Sequence, residues 1–186
     1  MQRVPELVVG LALLIVSFEM MAQKNATHTS AGEASLSSEE EEASYEIYSM
    51  VLKVKEPAVL DWTIVRETRA FPMCLEPARE QQATYRPMID DYGFRNRKTL
   101  VLQPKFKLGA YTLVGPEAWA SAQPITRNQP RKAFAVFSAV GFNGDGTRAV
   151  LCFWGNHSGT CAFMVKQERE WQVDHSWRGE GCGWAP

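Results

Sequence analysis

The stretch that decides the fold is FAVFSAVGFNGDGTRAVLCFWGNHSGTCAFMVKQEREWQV, which runs from Phe134 to Val173. Four apolar segments of strand length alternate in it with short polar turns such as NGDG and GNHSG, where Gly and Asn tolerate positive φ. Closely spaced strands joined by short turns form an antiparallel meander. The predicted strands are Phe134–Phe142, Thr147–Trp154, Thr160–Lys166 and Trp171–His175.

A helix is predicted over residues 39–54, ahead of the meander. Ser37 and Glu40 have the spacing of a capping box, which marks a helix start. An apolar stripe at helical spacing follows, which predicts an amphipathic helix. We expect the stripe to pack on the sheet face that carries Trp171 and Val173. The residues of the stripe are Ile47, Met50, Val51 and Val54.

The helix and the meander together predict an α+β fold, with an N-terminal amphipathic helix packed on a mainly antiparallel sheet. A cone-shaped sheet of the cystatin-like or nuclear transport factor 2-like kind is one arrangement that fits this pattern. The segment between helix and meander is less regular. It is interpreted as a strand over Val59–Thr68, a loop over 70–84, a short helix over Tyr85–Phe94 and a short strand near Tyr111–Val114.

The meander resembles a motif of exported bacterial proteins of unknown function. In these proteins a GFN-x3-TRA strand leads to a Gly- and Cys-rich turn and then to a hairpin of the K…W-x-V type. The segment YEIYSMVL, followed by WTIVRET, is similar to their amino-terminal part. This chain departs from the motif at Asn156 and His157, where more Gly and another Cys are expected. The resemblance implies export. No activity is known for these proteins, so the resemblance predicts none for this chain.

Residues 1–22 are predicted to be a signal peptide. The uncharged run Leu7–Phe18 is shorter than the about 20 residues that cross a bilayer, and it fits the apolar region of a signal sequence. The alternatives are an uncleaved anchor and a misassigned start codon. Residues 23–38 are interpreted as a flexible polar linker and residues 39–186 as a single domain. We therefore expect a secreted or periplasmic mature chain without a transmembrane segment.

The charge balance argues against a nucleic-acid partner. The chain has 20 basic and 21 acidic residues, and 45% of its residues are hydrophobic, as in ordinary globular proteins. Residues 45–186 carry a net charge of +4, which is only mildly basic.

Four cysteines in an exported chain allow disulfides. Cys152 and Cys161 are equidistant from the centre of the GNHSG turn and should face each other across the hairpin. At a non-hydrogen-bonded pair of such a ladder the Cα atoms lie about 4.5 Å apart, which a disulfide can span. The first prediction is therefore Cys152–Cys161, with Cys74–Cys182 as its complement. The alternative is Cys161–Cys182 with two free thiols.

A zinc site is the competing interpretation of the same region. It would use Cys152, His157 and Cys161 together with Cys182 or His175. The ligand spacing is not that of a usual zinc knuckle, and export favours oxidation of the thiols. No metal or other cofactor is therefore predicted.

Aromatic residues are dense at the carboxy-terminal end. Trp154, His157, Trp177 and Trp184 form a predicted ligand surface on which a sugar ring or a peptide would stack. The alternative is that these rings pack as core and lid, held by Cys182.

No acid, base and nucleophile converge in the sequence, so no catalytic residue is predicted. Asp174 and His175 are interpreted as a surface pair. The favoured hypothesis is a non-catalytic binding or structural module of the cell envelope. The alternative is a small cone-shaped enzyme with a pocket between helix and sheet, for which Asp61, Asp90 or His157 would be candidates.

Overall fold

A seven-stranded mixed sheet organises the chain in the computed structural model. The structure describes residues 36–55, 57, 59, 61–71, 75–118, 132–155, 158–177 and 179–180, and these belong to a unit that begins at Leu36. The predicted signal peptide and most of the predicted linker lie outside the described residues. The helices are α1 (Ser38–Lys55) and α2 (Gln82–Arg95), the latter preceded by a 3-10 turn (Arg79–Gln81). The strands are β1 (Asp61–Val65), β2 (Glu76–Pro77), β3 (Tyr111–Val114), β4 (Lys132–Phe137), β5 (Gly141–Phe142), β6 (Arg148–Gly155), β7 (Ser158–Gln167), β8 (Glu170–Val173) and β9 (Gly179–Glu180).

The order of the main sheet is β3-β1-β4-β6-β7-β8, with β5 also paired to β6. The predicted antiparallel meander is confirmed, since each of its strands pairs antiparallel with the next. The strand before it, β1, instead pairs in parallel with both β3 and β4. The sheet is therefore mixed at one edge. β2 and β9 form a separate two-stranded antiparallel ladder.

The first strand of the meander is not continuous. The prediction of one strand over Phe134–Phe142 is wrong at residues 138–140, where the chain leaves the ladder between β4 and β5. Side chains satisfy the backbone groups there. The Ser138 hydroxyl accepts the Cys152 N–H at 2.9 Å, and the Asn96 side chain bonds both the N–H and the carbonyl of Ala139. These contacts offset the cost of burying the polar backbone at the break.

Helix α1 begins with the predicted capping box. The Ser37 hydroxyl accepts the Glu40 N–H at 3.2 Å, and the Glu40 carboxylate accepts the Ser37 N–H at 3.0 Å. Val54 was expected in the buried stripe, and this is wrong, because Val54 is 55% exposed. Val54 lies about 20° around the helix from the fully buried Ile47, at the edge of the buried face and in the last turn of α1. The buried apolar face consists of Tyr45, Ile47, Tyr48, Val51 and Leu52.

The two helices cover opposite faces of the sheet. On β6, Leu151 and Phe153 pack in the cluster with α1, whereas Val150 and Cys152 pack in the cluster with α2. Successive residues of a strand point to opposite faces, so α1 and α2 lie on opposite sides. The predicted α+β class is confirmed, with α1 in the cluster that contains Trp171. The apolar pattern of the sequence did not indicate that a helix covers the second face of the sheet.

The segment before β3 lies along α1. The Tyr45 hydroxyl accepts the Gln103 N–H at 2.5 Å, and the Ser49 hydroxyl accepts the Lys107 N–H at 2.8 Å. Phe106, between these two anchors, is 6% exposed and joins the core. The hydroxyls of α1 thus accept hydrogen bonds from the backbone of residues 103–107, which are not part of a strand. Among the described residues, α1 and α2 both lack the combination of length and apolar character needed to cross a membrane.

Arg95, at the end of α2, joins the two helices. Its guanidinium donates to Glu40 of α1 and to Asp91 of α2, both at 2.6 Å. Asp91 in turn accepts the Phe142 N–H of β5 at 2.8 Å. Burial raises the pKa of Glu40, but the hydrogen bonds from Arg95 and Ser37 outweigh it and hold this pKa below its usual value. We call Glu40, Asp91 and Arg95 the helix clamp.

Replacing Gly141 by Ala should destabilise the fold. A Cβ at Gly141 would lie 2.6 Å from Tyr92 Cα and as close to other backbone atoms of α2, so α2 would have to move off β5. Overpacking of this kind costs about 1–3 kcal/mol. The free energy of unfolding from urea titration measures it. Gly144→Ala in the adjacent turn is the control, because no atom lies within 4 Å of its Cβ position. Equal stability of the two variants would contradict the packing of α2 on β5.

Candidate functional site

The predicted Cys152–Cys161 disulfide is present, between directly opposed residues of β6 and β7. Cys152 directs its own N–H to the Ser138 hydroxyl and its carbonyl to the Ser138 N–H. Its backbone bonds therefore go to the β4 side, and Cys152 and Cys161 form a non-hydrogen-bonded pair in their own ladder, as predicted. Cys74 and Cys182 lie outside the described residues.

The disulfide argues against the zinc interpretation. Zinc binds thiolates, and the two sulfurs that should supply half of its ligands are bonded to each other. His157 lies outside the described residues. Within the described ranges, no group of three or more His, Cys, Asp or Glu side chains is placed to hold a metal ion.

The β6–β7 hairpin presents an ordered row of residues on the face that α2 partly covers. From the turn inward the opposed pairs on this face are Trp154 with Gly159, Cys152 with Cys161, and Val150 with Phe163. Trp154, Gly159 and Cys161 are partly exposed, as is Trp177, which packs on Phe163. We call Trp154, Gly159, Cys161 and Trp177 the hairpin strip.

Trp177 is part of the packing on this face. Its ring stacks on Phe163, with centroids 4.0 Å apart and planes 15° apart, and forms a T-shaped contact with Tyr85, with centroids 4.9 Å apart. One face of the Trp177 indole is therefore used in packing, which supports the alternative that this ring covers the core. Trp154 lies opposite Gly159, and Trp177 packs on Phe163, four residues further along β7. At about 3.4 Å per residue, the two ends of the hairpin strip are therefore about 14 Å apart. His157 and Trp184, the other members of the predicted ligand surface, lie outside the described residues.

A polar network that the sequence analysis missed holds the tail after β8 against α2. Asp174 accepts hydrogen bonds from the Tyr85 hydroxyl at 2.9 Å and from the Ser176 hydroxyl at 2.6 Å. It also accepts the Ser176 N–H and pairs with Arg148. The interpretation of Asp174 as a surface residue is wrong, because its side chain is 6% exposed. Tyr85 precedes Asp174 by 89 residues, so no local pattern signals the contact. We call these four residues the tail anchor.

The tail anchor is suited to holding the chain in place rather than to moving protons. Burial raises the pKa of Asp174, but the hydrogen bonds from Ser176 and Tyr85 and the charge of Arg148 outweigh it and lower this pKa. A carboxylate with a lowered pKa and four donors is a poor general base at neutral pH. The pKa of Tyr85 is raised, mainly by burial. Ser176 therefore lacks the activated base that a nucleophilic serine needs.

The remaining candidates for catalysis lie in different elements. Asp90 is on the outer side of α2, with a side chain that is 68% exposed and pairs with Arg86 at 3.5 Å. Asp61 begins β1, where its backbone is opposite Lys132. Asp91, which follows Asp90 in α2, pairs with Arg95 in the helix clamp.

Side chains fill the space between α1 and the sheet. The Tyr48 ring lies 4.5 Å from that of Phe137, and Phe106 contacts both rings at 6.0 Å. Leu151 and Leu52 complete this layer with no exposed surface. The described residues therefore form a packed core at the place where the enzyme hypothesis requires a pocket.

Comparison with protein-family models, curated proteins and solved structures gives no match for the chain.

Removing the Cys152–Cys161 bridge should lower stability without unfolding the protein. In the chain-entropy treatment a loop of this size contributes about 3 kcal/mol. We expect the double variant Cys152→Ala/Cys161→Ala to unfold cooperatively at a clearly lower urea concentration than the natural chain. An unchanged unfolding midpoint would show that the bridge does not form in solution.

Acid should destabilise the protein through Asp174. Because its folded pKa is lowered, its stabilising effect is complete above the unfolded pKa and is lost as the pH falls through that value toward the folded one. The free energy of unfolding of the natural chain should therefore decline between about pH 5 and about pH 3. Asp174→Asn should flatten this decline, and the exposed Asp90→Asn should leave it as it is. Identical pH profiles for Asp174→Asn and the natural chain would refute the assignment.

Proposed function

We propose that the chain is an exported, non-catalytic module of a bacterial cell envelope, braced by a disulfide and matured by removal of residues 1–22. The observation that carries the proposal is the Cys152–Cys161 bond in the centre of the sheet. Disulfides persist in oxidising compartments such as the periplasm and the cell exterior. The resemblance of the meander to exported bacterial proteins of unknown function points in the same direction.

Two features of the structure favour binding or support over catalysis. The core between α1 and the sheet is packed with rings and aliphatic side chains. The best-connected polar cluster, the tail anchor, uses its carboxylate to hold four donors. Neither feature supplies a pocket with an acid and a base.

The ligand surface that we propose is the hairpin strip. Trp154 lies opposite Gly159 near the turn of the hairpin and is partly exposed. The disulfide joins the two strands of the hairpin at the next pair on this face, so little ordering of the hairpin backbone is needed on binding. Indole rings bind the apolar faces of sugar rings by stacking. The ligand class that we propose is therefore the glycan of the cell wall.

Export is tested by expressing the full-length chain in a bacterium and measuring the intact mass of the protein in the periplasmic and cytosolic fractions, with and without reductant. We expect periplasmic material that starts at Gln23 and gains mass on reduction and alkylation. Full-length cytosolic protein with all thiols titratable would overturn the proposal.

Binding is tested with soluble peptidoglycan fragments and isothermal titration calorimetry. Trp154→Ala should weaken binding by at least about tenfold, since loss of a stacked ring at a binding hot spot costs about 2 kcal/mol. Phe94→Ala is the matched control: Phe94 is an exposed ring on α2, outside the hairpin strip, and its loss should leave the affinity unchanged. Absence of binding by the natural chain, or equal losses in both variants, would contradict the assignment of the strip.

A further inference from the structure

We infer that β3 is a dimerisation edge, at which two copies of this chain join their sheets into one. The two β3 strands run antiparallel across a two-fold axis at Thr112. The inference rests on the backbone register of β3 and on the exposure of its residues. It depends neither on export nor on the proposed glycan site, so its failure would leave the proposed function untouched.

The two edges of the main sheet differ in charge. β3 and β8 are the two ends of the strand order in the described part of the chain. β8 contains Glu170 and directly follows Glu168 and Arg169, whereas β3 has no charged residue and no proline. Charges and prolines are common means of preventing an edge strand from pairing with another chain. β3 therefore lacks the protection that β8 has.

The hydrogen bonds of β3 to β1 determine which of its backbone groups are left for a partner. The Ala110 carbonyl accepts the Trp62 N–H at 3.2 Å, and the Val114 carbonyl accepts the Arg66 N–H at 2.8 Å. The parallel register places Thr112 between these two bonds, with its backbone groups also directed to β1. Every second residue of this stretch is thus engaged by β1.

Tyr111 and Leu113 are the residues in between. Successive residues of a strand direct their N–H and carbonyl groups to opposite sides, so these two residues direct theirs away from β1. No strand in the described ranges pairs with β3 on that side. Two donors and two acceptors are therefore directed at the position of a partner strand.

A second copy of β3 satisfies these groups when the two strands are centred on Thr112. A two-fold axis perpendicular to the sheet makes the strands antiparallel, so that Tyr111 is opposite Leu113 of the other copy and Thr112 is opposite its own copy. Two opposed residues that both direct their backbone groups to the partner exchange two hydrogen bonds. The two Tyr111–Leu113 pairs thus make all the bonds that β3 offers. A centre at Tyr111 or at Leu113 would instead place one of these residues opposite a residue outside β3.

The side chains of β3 suit this pairing. Tyr111 and Leu113 are partly exposed and pack beside the core on the α1 face. In the dimer each Tyr111 ring lies against Leu113 of the other copy, which removes apolar area of both from water. Thr112 is exposed and lies on the other face, and threonines at opposed positions form a favourable pair.

The charges that flank β3 favour the antiparallel orientation. Lys107 precedes the strand, with a side chain that is 56% exposed, and the exposed Glu117 follows it. In an antiparallel pair the amino end of each strand lies beside the carboxy end of the other. The end with Lys107 therefore faces the end with Glu117 of the other copy, and charges of opposite sign meet twice.

Charge substitutions at Thr112 test the dimer, because this exposed residue faces its own copy. In sedimentation equilibrium the natural chain should form dimers whose fraction rises with concentration. Thr112→Glu and Thr112→Lys should each weaken the dimer by about fivefold, since like charges directly opposite each other are destabilising. An equimolar mixture of the two variants should restore association, because opposite charges then face each other. Gln172→Glu, at an exposed position of β8, is the control and should leave the dimer unchanged.

Cysteine cross-linking tests the register itself. Thr112 and its copy form a non-hydrogen-bonded pair, whose Cα atoms lie about 4.5 Å apart, a distance that a disulfide can span. On oxidation with glutathione disulfide, Thr112→Cys should therefore give a dimer in which tryptic peptide 108–127 is joined to itself. Gln172→Cys is the matched control and should give no such link through its own peptide.

Three results would overturn the inference. A chain that remains monomeric up to about 1 mM would show that β3 does not pair with its own copy, and would leave a strand of another protein as its partner. A dimer that tolerates both charges at Thr112, or that is not restored by mixing, would place the contact on another surface. Unchanged unfolding midpoints of the Thr112 variants verify that each monomer is intact.

Discussion

The ladder between β6 and β7 aligns eight residue pairs, from Arg148 with Val165 to Gly155 with Ser158. Strand β6 is buried on both faces, with Leu151 directed to α1 and Val150 directed to α2. A slip of one residue would exchange these two sets and spoil both cores at once. The Cys152–Cys161 bond makes such a slip covalently impossible. Both helices thus depend on one register.

The burial of β6 on both faces also determines which part of the sheet remains accessible to solvent. The cores on the two sides are filled, and the polar clusters that connect them, the helix clamp and the tail anchor, use their charges internally. The outer end of the hairpin is different, because α2 packs on the inner part of the face and leaves Trp154 and Gly159 partly exposed. The Cys152–Cys161 bond and the β6–β7 ladder support this end of the hairpin.

The features that could be predicted from the sequence are those defined by residues close together in the chain. The meander, the capping box of Ser37 and Glu40, and the opposed cysteines follow from spacings of a few residues. The break at Ser138 depends on Asn96, and the burial of Asp174 depends on Tyr85, residues that are 42 or more positions away. Periodicity cannot report such contacts. The centre of the α1 stripe was misjudged because Tyr45 and Tyr48, which carry polar groups, are part of its buried face.

The helix clamp has a consequence for how the chain can be processed. The carboxylate of Glu40 both closes the cap of α1 and neutralises Arg95 at the far end of α2. A protease that trims the amino end is therefore harmless only upstream of Ser37. A cut beyond that point would fray α1 and remove Glu40 from Arg95, which would then keep Asp91 of its own helix as an ion-pair partner.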